Sequence, residues 1–152
     1  TGPTGCGKTT FLREIAARGG VIADCGFTEA WEEMRHVLRG VGRWIPARFV
    51  LFWVGIATRL LAGYGLREAD TRLCVAESRY PILFIHGTGD DFVPCEMTKE
   101  NFAACTAEKE CVLVEGAQHG CSYVRDRARV EAALRTFLER HTKGEDGHDK
   151  PA

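Results

Sequence analysis

The sequence predicts an α/β protein built on a mostly parallel sheet. Short apolar runs of the buried-strand kind recur at Val21-Ile22-Ala23, at Pro81 to His86 (PILFIH) and at Cys111 to Val114 (CVLV). Segments of helical period separate them, and each run closes on an acid, a glycine or a polar turn. The 152 residues are 45% hydrophobic and 27% charged, which suits about one globular domain and excludes a disordered or fibrous chain.

Taken in order, Gly2 to Thr10 reads as a glycine-rich loop and Phe11 to Arg18 as a short helix. A strand follows at Val21 to Cys25. Thr28 is placed to cap the next helix, with Glu29 in its first turn and Trp31, Met34, Leu38 and Val41 on one apolar face. Gly40, Gly42 and Pro46 break it. Phe49 to Leu66 is apolar nearly all round, so it must be covered by protein or cap something apolar. Ala69 to Arg79 is helical in composition, and the PILFIH strand comes next. Pro94 fits the first turn of a helix running to about Ala107. After the CVLV strand, a last helix from Asp126 to Arg140 sets Val130, Leu134, Phe137 and Leu138 on one stripe. Residues 142–152 form a polar tail expected to be disordered. Three strands are few for a sheet with so long a helical insert, which points to a truncated sheet.

Two turns carry candidate chemistry. His86 to Pro94 (HGTGDDFVP) puts two aspartates just after one buried strand, and Glu115 to Gly120 (EGAQHG) puts His119 just after the next. In parallel neighbours both turns lie at the carboxyl edge of the sheet, where ligands bind in open α/β folds. Strands lie about 4.8 Å apart, so a carboxylate on one loop can reach an imidazole on the other. Such an aspartate fixes the histidine tautomer and stabilises the imidazolium that forms when the ring accepts a proton.

From Val21 to His141 the chain resembles the α/β-hydrolase family, in the branch of serine esterases and peptidase-like hydrolases. The resemblance rests on VIADCGFT followed by AWEE, the long apolar insert, HGTGDDFVP and EGAQHG. It implies a truncated α/β-hydrolase-like parallel sheet of about three strands. Residues 28–79 would be a helical lid over the acyl part of a small-molecule ester or acyl substrate. It further implies Asp90 as the triad acid, His119 as the general base, and Asp91 as a supporting or turn residue. The family's nucleophile motif GxSxG is missing: Ser78 and Ser122 are the only serines, and neither is flanked by glycines two residues away on each side. Thr4 and Cys6 stand near the expected place, but the glycine spacing fits neither. A hydrolase fragment that is inactive as it stands is therefore expected.

The opening residues suggest another chemistry. Gly2-Pro3-Thr4-Gly5-Cys6-Gly7-Lys8-Thr9 satisfies GxxxxGK[ST]. In such a loop Gly2, Gly5 and Gly7 let backbone N–H groups face the phosphates of ATP. Lys8 reaches the β- and γ-phosphates, and the Thr9 hydroxyl ligates magnesium. Residues 1–20 resemble the start of P-loop kinases, dephospho-coenzyme A kinase most of all. That family continues VIDxD, whereas this chain has Ala23 at the first acid position and Asp24 one place late. The alternative expectation is an ATP-binding kinase fragment joined to the hydrolase-like part near Gly20.

The remaining features set limits. Twenty basic residues against twenty-one acidic ones leave no field for nucleic acid. The apolar run from Phe49 to Thr58 is too short for a membrane span, and no apolar leader opens the chain, so a cytoplasmic location is expected. Seven cysteines without a CxxC pair suggest reduced thiols and no metal site. His86 reads as a satisfied core histidine, and His36 and His141 as solvent-facing. Trp31, Trp44 and Trp53 read as packing residues. An exposed sheet edge would favour self-association.

Overall fold

Strand β2 (Ile82–Gly87) is the middle of a three-stranded sheet, with β1 (Val21–Asp24) and β3 (Lys109–Val114) on its two sides. This is a computed structural model, and it describes residues 20–41, 46–68 and 70–142. Both pairings are parallel: Val21 faces Ile82 through to Asp24 facing Ile85, and Ile82 faces Lys109 through to Gly87 facing Val114. Parallel neighbours need long crossovers. Helices α1 (Ala30–Val41), α2 (Ala47–Ala62) and α3 (Thr71–Ala76) lie between β1 and β2, and α4 (Cys95–Ala104) lies between β2 and β3. The chain then adds α5 (Ser122–Arg125) and α6 (Arg127–His141).

All six residues of β2 are buried, because helices cover both of its faces. Alternation along the strand sorts its side chains. Leu83 and Ile85 join Val114, Ala117, Val130 and Phe137 on the α6 side. Ile82 and Phe84 join Cys105 on the other side, with Val21, Ala23, Val75 and Phe102 packed around them. Phe84 and Phe102 meet edge to face with centroids 5.8 Å apart. In β1 the pattern is weaker: Val21 and Ala23 are half-buried, while Ile22 and Asp24 are exposed.

The helix ends follow local chemistry. Asp70 caps α3 by accepting from Arg72 N–H at 2.9 Å, and Asp126 caps α6 by accepting from Arg129 N–H at 3.1 Å. Gly63 ends α2 in the left-handed region at φ 77°. A polar knot closes the base of the insert. Thr71 N–H donates to Thr28 O at 2.7 Å, and Asn101 Nδ2 donates to Phe27 O at 3.0 Å. These bonds tie the end of β1 to α3 and α4.

Several expectations need correction. Thr28 does not cap α1; its hydroxyl is buried and donates to the Glu32 carboxylate at 3.4 Å, because the helix starts two residues later, at Ala30. Among the described residues the apolar helix α2 is not covered: Leu51 is buried, but Phe52, Trp53, Leu60 and Leu61 are exposed, which leaves the other expectation, that it caps something apolar. Trp53 meets only the Phe49 and Phe52 rings of its own helix and packs into no core. On α6, Leu138 turns outward while Val130 and Phe137 are buried. His36 and His141 are half-buried rather than solvent-facing. The glycine-rich loop Gly2 to Thr9 with its ATP and magnesium, the helix at Phe11 to Arg18, Trp44 and the tail after Thr142 lie outside the described residues. Among the described residues no helix is long and apolar enough to cross a membrane.

Candidate active site

Asp90 stands in the turn three residues beyond β2, and His119 in the turn five residues beyond β3. Parallel pairing delivers both turns to one rim of the sheet, and the two side chains meet there. His119 Nδ1 lies 2.8 Å from Asp90 Oδ2. Nδ1 faces a carboxylate, so it carries the ring proton and donates it; Nε2 is left as the basic nitrogen. The His119 side chain is 44% exposed and that of Asp90 is fully buried. The base can meet a solute, and its partner is sheltered from water.

The Asp90 carboxylate is held on every side. Its Oδ1 accepts from Phe92 N–H at 2.9 Å and Val93 N–H at 2.8 Å. Its Oδ2 also lies 3.1 Å from His86 Nε2. Burial pushes this carboxyl upward, but the Val93 N–H, the His119 imidazole and the Phe92 N–H together outweigh it. They hold Asp90 below the usual aspartate value. His86 is fully buried, as a core histidine should be, yet it is also part of the Asp90 environment. Its Nε2 faces two acceptors, Asp90 Oδ2 and Val93 O at 3.0 Å, so that nitrogen is protonated and Nδ1 accepts from the Thr98 hydroxyl at 2.6 Å. Asp91 is exposed, and its carbonyl accepts from His36 Nε2 at 2.9 Å, which ties α1 to the acid loop.

Two further groups were not legible from spacing. Cys25 follows β1 with φ 51°, the positive-φ non-glycine residue among the described residues, a strained backbone state. Its Sγ accepts from Gly120 N–H at 3.3 Å, next to His119. Burial raises this thiol to about 11, against the pull of the Gly120 N–H. Glu33 of α1 is the other: it is 8% exposed, and neither carboxylate oxygen has a hydrogen-bond partner. Burial raises its carboxyl above the usual glutamate value, and the negative charge of Asp90 adds to that. Both residues reach the rim through tertiary packing; they fall within the VIADCGFT and AWEE stretches, but nothing in those stretches marked them as site residues.

Two concavities adjoin the loops. One of about 400 Å³ is lined by Gly116, Ala117, Gln118, Cys121, Val124 and Arg125. The other, about 220 Å³, lies between Glu32, Arg35 and His36 of α1 and Pro94 and Met97 beside α4. Neither is lined by the Asp90 or His119 side chain.

The fold has counterparts among solved structures. The chain is similar to the acylaminoacyl peptidase of Pyrococcus horikoshii, with a TM-score of 0.57 and 19% identity over 87% of this chain and 21% of that one. It is also similar to a thermophilic esterase from Thermogutta terrifontis, with a TM-score of 0.51 and 18% identity over 88% of this chain and 60% of that one. The fold is of the α/β-hydrolase type. At the level of sequence, the chain is 28% identical over 118 residues to the uncharacterized protein YqkD of Bacillus subtilis (strain 168). That match covers 78% of this chain, which spans 38% of the length of YqkD. No family model matches. Within this α/β-hydrolase-type fold the described residues place an acid and a histidine on successive loops at one rim of the sheet. The phosphate-loop motif falls outside it.

Proposed function

We propose that this chain carries the acid and base of a hydrolase site acting on ester or related acyl bonds of small molecules. In this reading His119 is the general base and Asp90 its orienting partner. The observation that supports it is the 2.8 Å contact of His119 Nδ1 with the buried Asp90 carboxylate. Nε2 takes a proton from an attacking hydroxyl and later returns it to the leaving group. As the ring becomes an imidazolium, the adjacent carboxylate stabilises it, and little water screens the pair. The two backbone N–H groups on Asp90 Oδ1 keep the acid ionised and fix its orientation. Exposed Phe52, Trp53 and Leu60 on α2 offer an apolar surface for an acyl group, in keeping with a lid.

The reading gives this chain no nucleophile. GxSxG does not occur in it. The Ser78 hydroxyl donates to Tyr80 O at 3.1 Å, and Ser122 Oγ is buried without a hydrogen-bond partner. The Cys25 thiol, raised to about 11, is protonated at neutral pH and unsuited to attack. In this reading the chain alone is expected to be inactive and to stay unlabelled by a fluorophosphonate probe; clean labelling at Thr4 or Cys6 would overturn that expectation. The decisive experiment joins the chain behind a strand–GxSxG–helix segment of the same fold type and follows p-nitrophenyl ester turnover. Turnover is expected to appear and to fall about 10²–10⁴-fold in His119→Ala. A folded fusion whose turnover ignores His119 would sink the reading.

A further inference from the structure

The rim of the sheet holds a soft donor beside the acid and base. Cys25 Sγ, an Asp90 carboxylate oxygen and a His119 ring nitrogen all lie within 4.8 Å of one another. Each comes from a different strand end: β1, β2 and β3 respectively. We propose that Cys25, Asp90 and His119 form a binding site for a thiophilic divalent ion of the zinc type, and that this ion competes with the proton shared by Asp90 and His119.

The donor set selects the ion. Thiolate, imidazole and one carboxylate oxygen are zinc ligands, whereas magnesium and calcium demand oxygen alone. Tetrahedral zinc sets its donors about 3.3–3.6 Å apart, so Cys25 Sγ must approach by up to about 1 Å while His119 Nδ1 and Asp90 Oδ2, now 2.8 Å apart, must part slightly to admit the ion. Movement is available at the base: His119 is partly exposed and sits between Gly116 and Gly120, both in the left-handed region at φ 67° and 65°. Asp90 contributes through Oδ2, since two N–H groups occupy Oδ1.

An independent observation also calls for a cation. Glu33 is more than nine-tenths buried with both oxygens unpartnered; the charge it feels most is that of His36, followed by those of Asp90 and His119. The Cys25 thiol donates to the Asp24 carboxylate at 3.4 Å, which adds another acid. Among the described residues no lysine or arginine pairs with Asp90, Asp24 or Glu33. A divalent ion would relieve this excess of acid. Its binding releases the Cys25 thiol proton to solvent and shifts the single His119 ring proton from Nδ1 to Nε2 when Nδ1 takes the ion, so the metal-bound pair cannot act as an acid–base couple.

The inference rests on donor geometry and does not require the hydrolase reading. Its test is calorimetric titration of the full chain with Zn²⁺ and Cd²⁺, together with the Co²⁺ absorption spectrum. One ion per chain is expected, with proton release. Affinity should fall at least about tenfold in Cys25→Ala and in His119→Ala, and the thiolate-to-cobalt band should vanish in Cys25→Ala. The exposed thiols of Cys74 and Cys121 serve as controls, and their alanine variants should bind as the parent does. Unchanged affinity in the His119 variant overturns the site, as does a loss that follows Cys74 or Cys121. His119 is exposed enough for its variant to fold even if Cys25→Ala does not. Absence of His119-dependent ester turnover would leave the titration unaffected, so the two proposals can fail separately.

Discussion

The carbonyl oxygen of Ala117 lies 2.1 Å from where a Cβ on Gly87 would stand. The last residue of β2 and the histidine loop are therefore in backbone contact, and only glycine permits it. Gly89 and Gly116 repeat the close approach at 3.2 Å. Gly87→Ala must push the two loops apart. It should cost about 1–3 kcal/mol of stability and remove the downfield NMR signal of the His119 Nδ1 proton. An alanine variant that keeps both the urea midpoint and that signal would contradict the contact.

Asp90 gives the protein an acid limb. Its carboxyl titrates below the ordinary aspartate value of 3.8 in the folded state, held there by hydrogen bonds that outweigh burial. The stability it contributes is fully present above 3.8 and is lost as pH falls through the lower folded value. Asp90→Asn should flatten that limb and lower stability at neutral pH by about 1–3 kcal/mol. Urea midpoints measured across the acid range test both effects.

Glu33 has the opposite sign. Burial raises its folded value above the ordinary 4.5, so it destabilises the fold at neutral pH, and the cost disappears below 4.5. Glu33→Gln should gain about 1 kcal/mol near neutrality and nothing below that point. A variant whose gain persists unchanged in acid would show that charge is not the cause.

Phe137 and Leu61 should respond in contrast. Phe137 is 1% exposed beneath β2 and β3, and Phe137→Ala should cost about 3–5 kcal/mol. Leu61 is 89% exposed on α2, and Leu61→Glu should change stability by no more than about 0.5 kcal/mol. Thermal melts of the two variants settle the comparison.

The strands were legible because β2 and β3 contain short apolar runs that end at glycine or at a polar turn; β2 is buried throughout, whereas β3 starts earlier, at Lys109, and buries only Val114, with Cys111 exposed. The meeting of Asp90 and His119 was legible too, since it needs only parallel neighbours and turns of similar length. The burial of Glu33 was not, because an acid at a helical position looks solvated until the packing of α1 is known. Cys25 was equally silent: its φ and its contact with Gly120 depend on how β1 enters the sheet. The apolar composition of α2 left two possibilities, a covered helix or one that caps something apolar, and composition could not choose between them. Composition reports what a helix can cover, and here only Leu51 is fully buried, with Val50, Val54 and Thr58 half-buried.

The full burial of β2 makes the two members of the pair unequal in mobility. Asp90 is mounted three residues from the segment whose amides should exchange most slowly with solvent, since it is flanked on both edges and covered on both faces. The half-exposed His119 side chain stands between Gly116 and Gly120, and it can turn away about its own side-chain bonds while the loop backbone stays against Gly87. Local fluctuation at this rim is therefore hinged on one side: the imidazole swings away and returns to a fixed anchor, so recovery of the contact is a search by one partner alone.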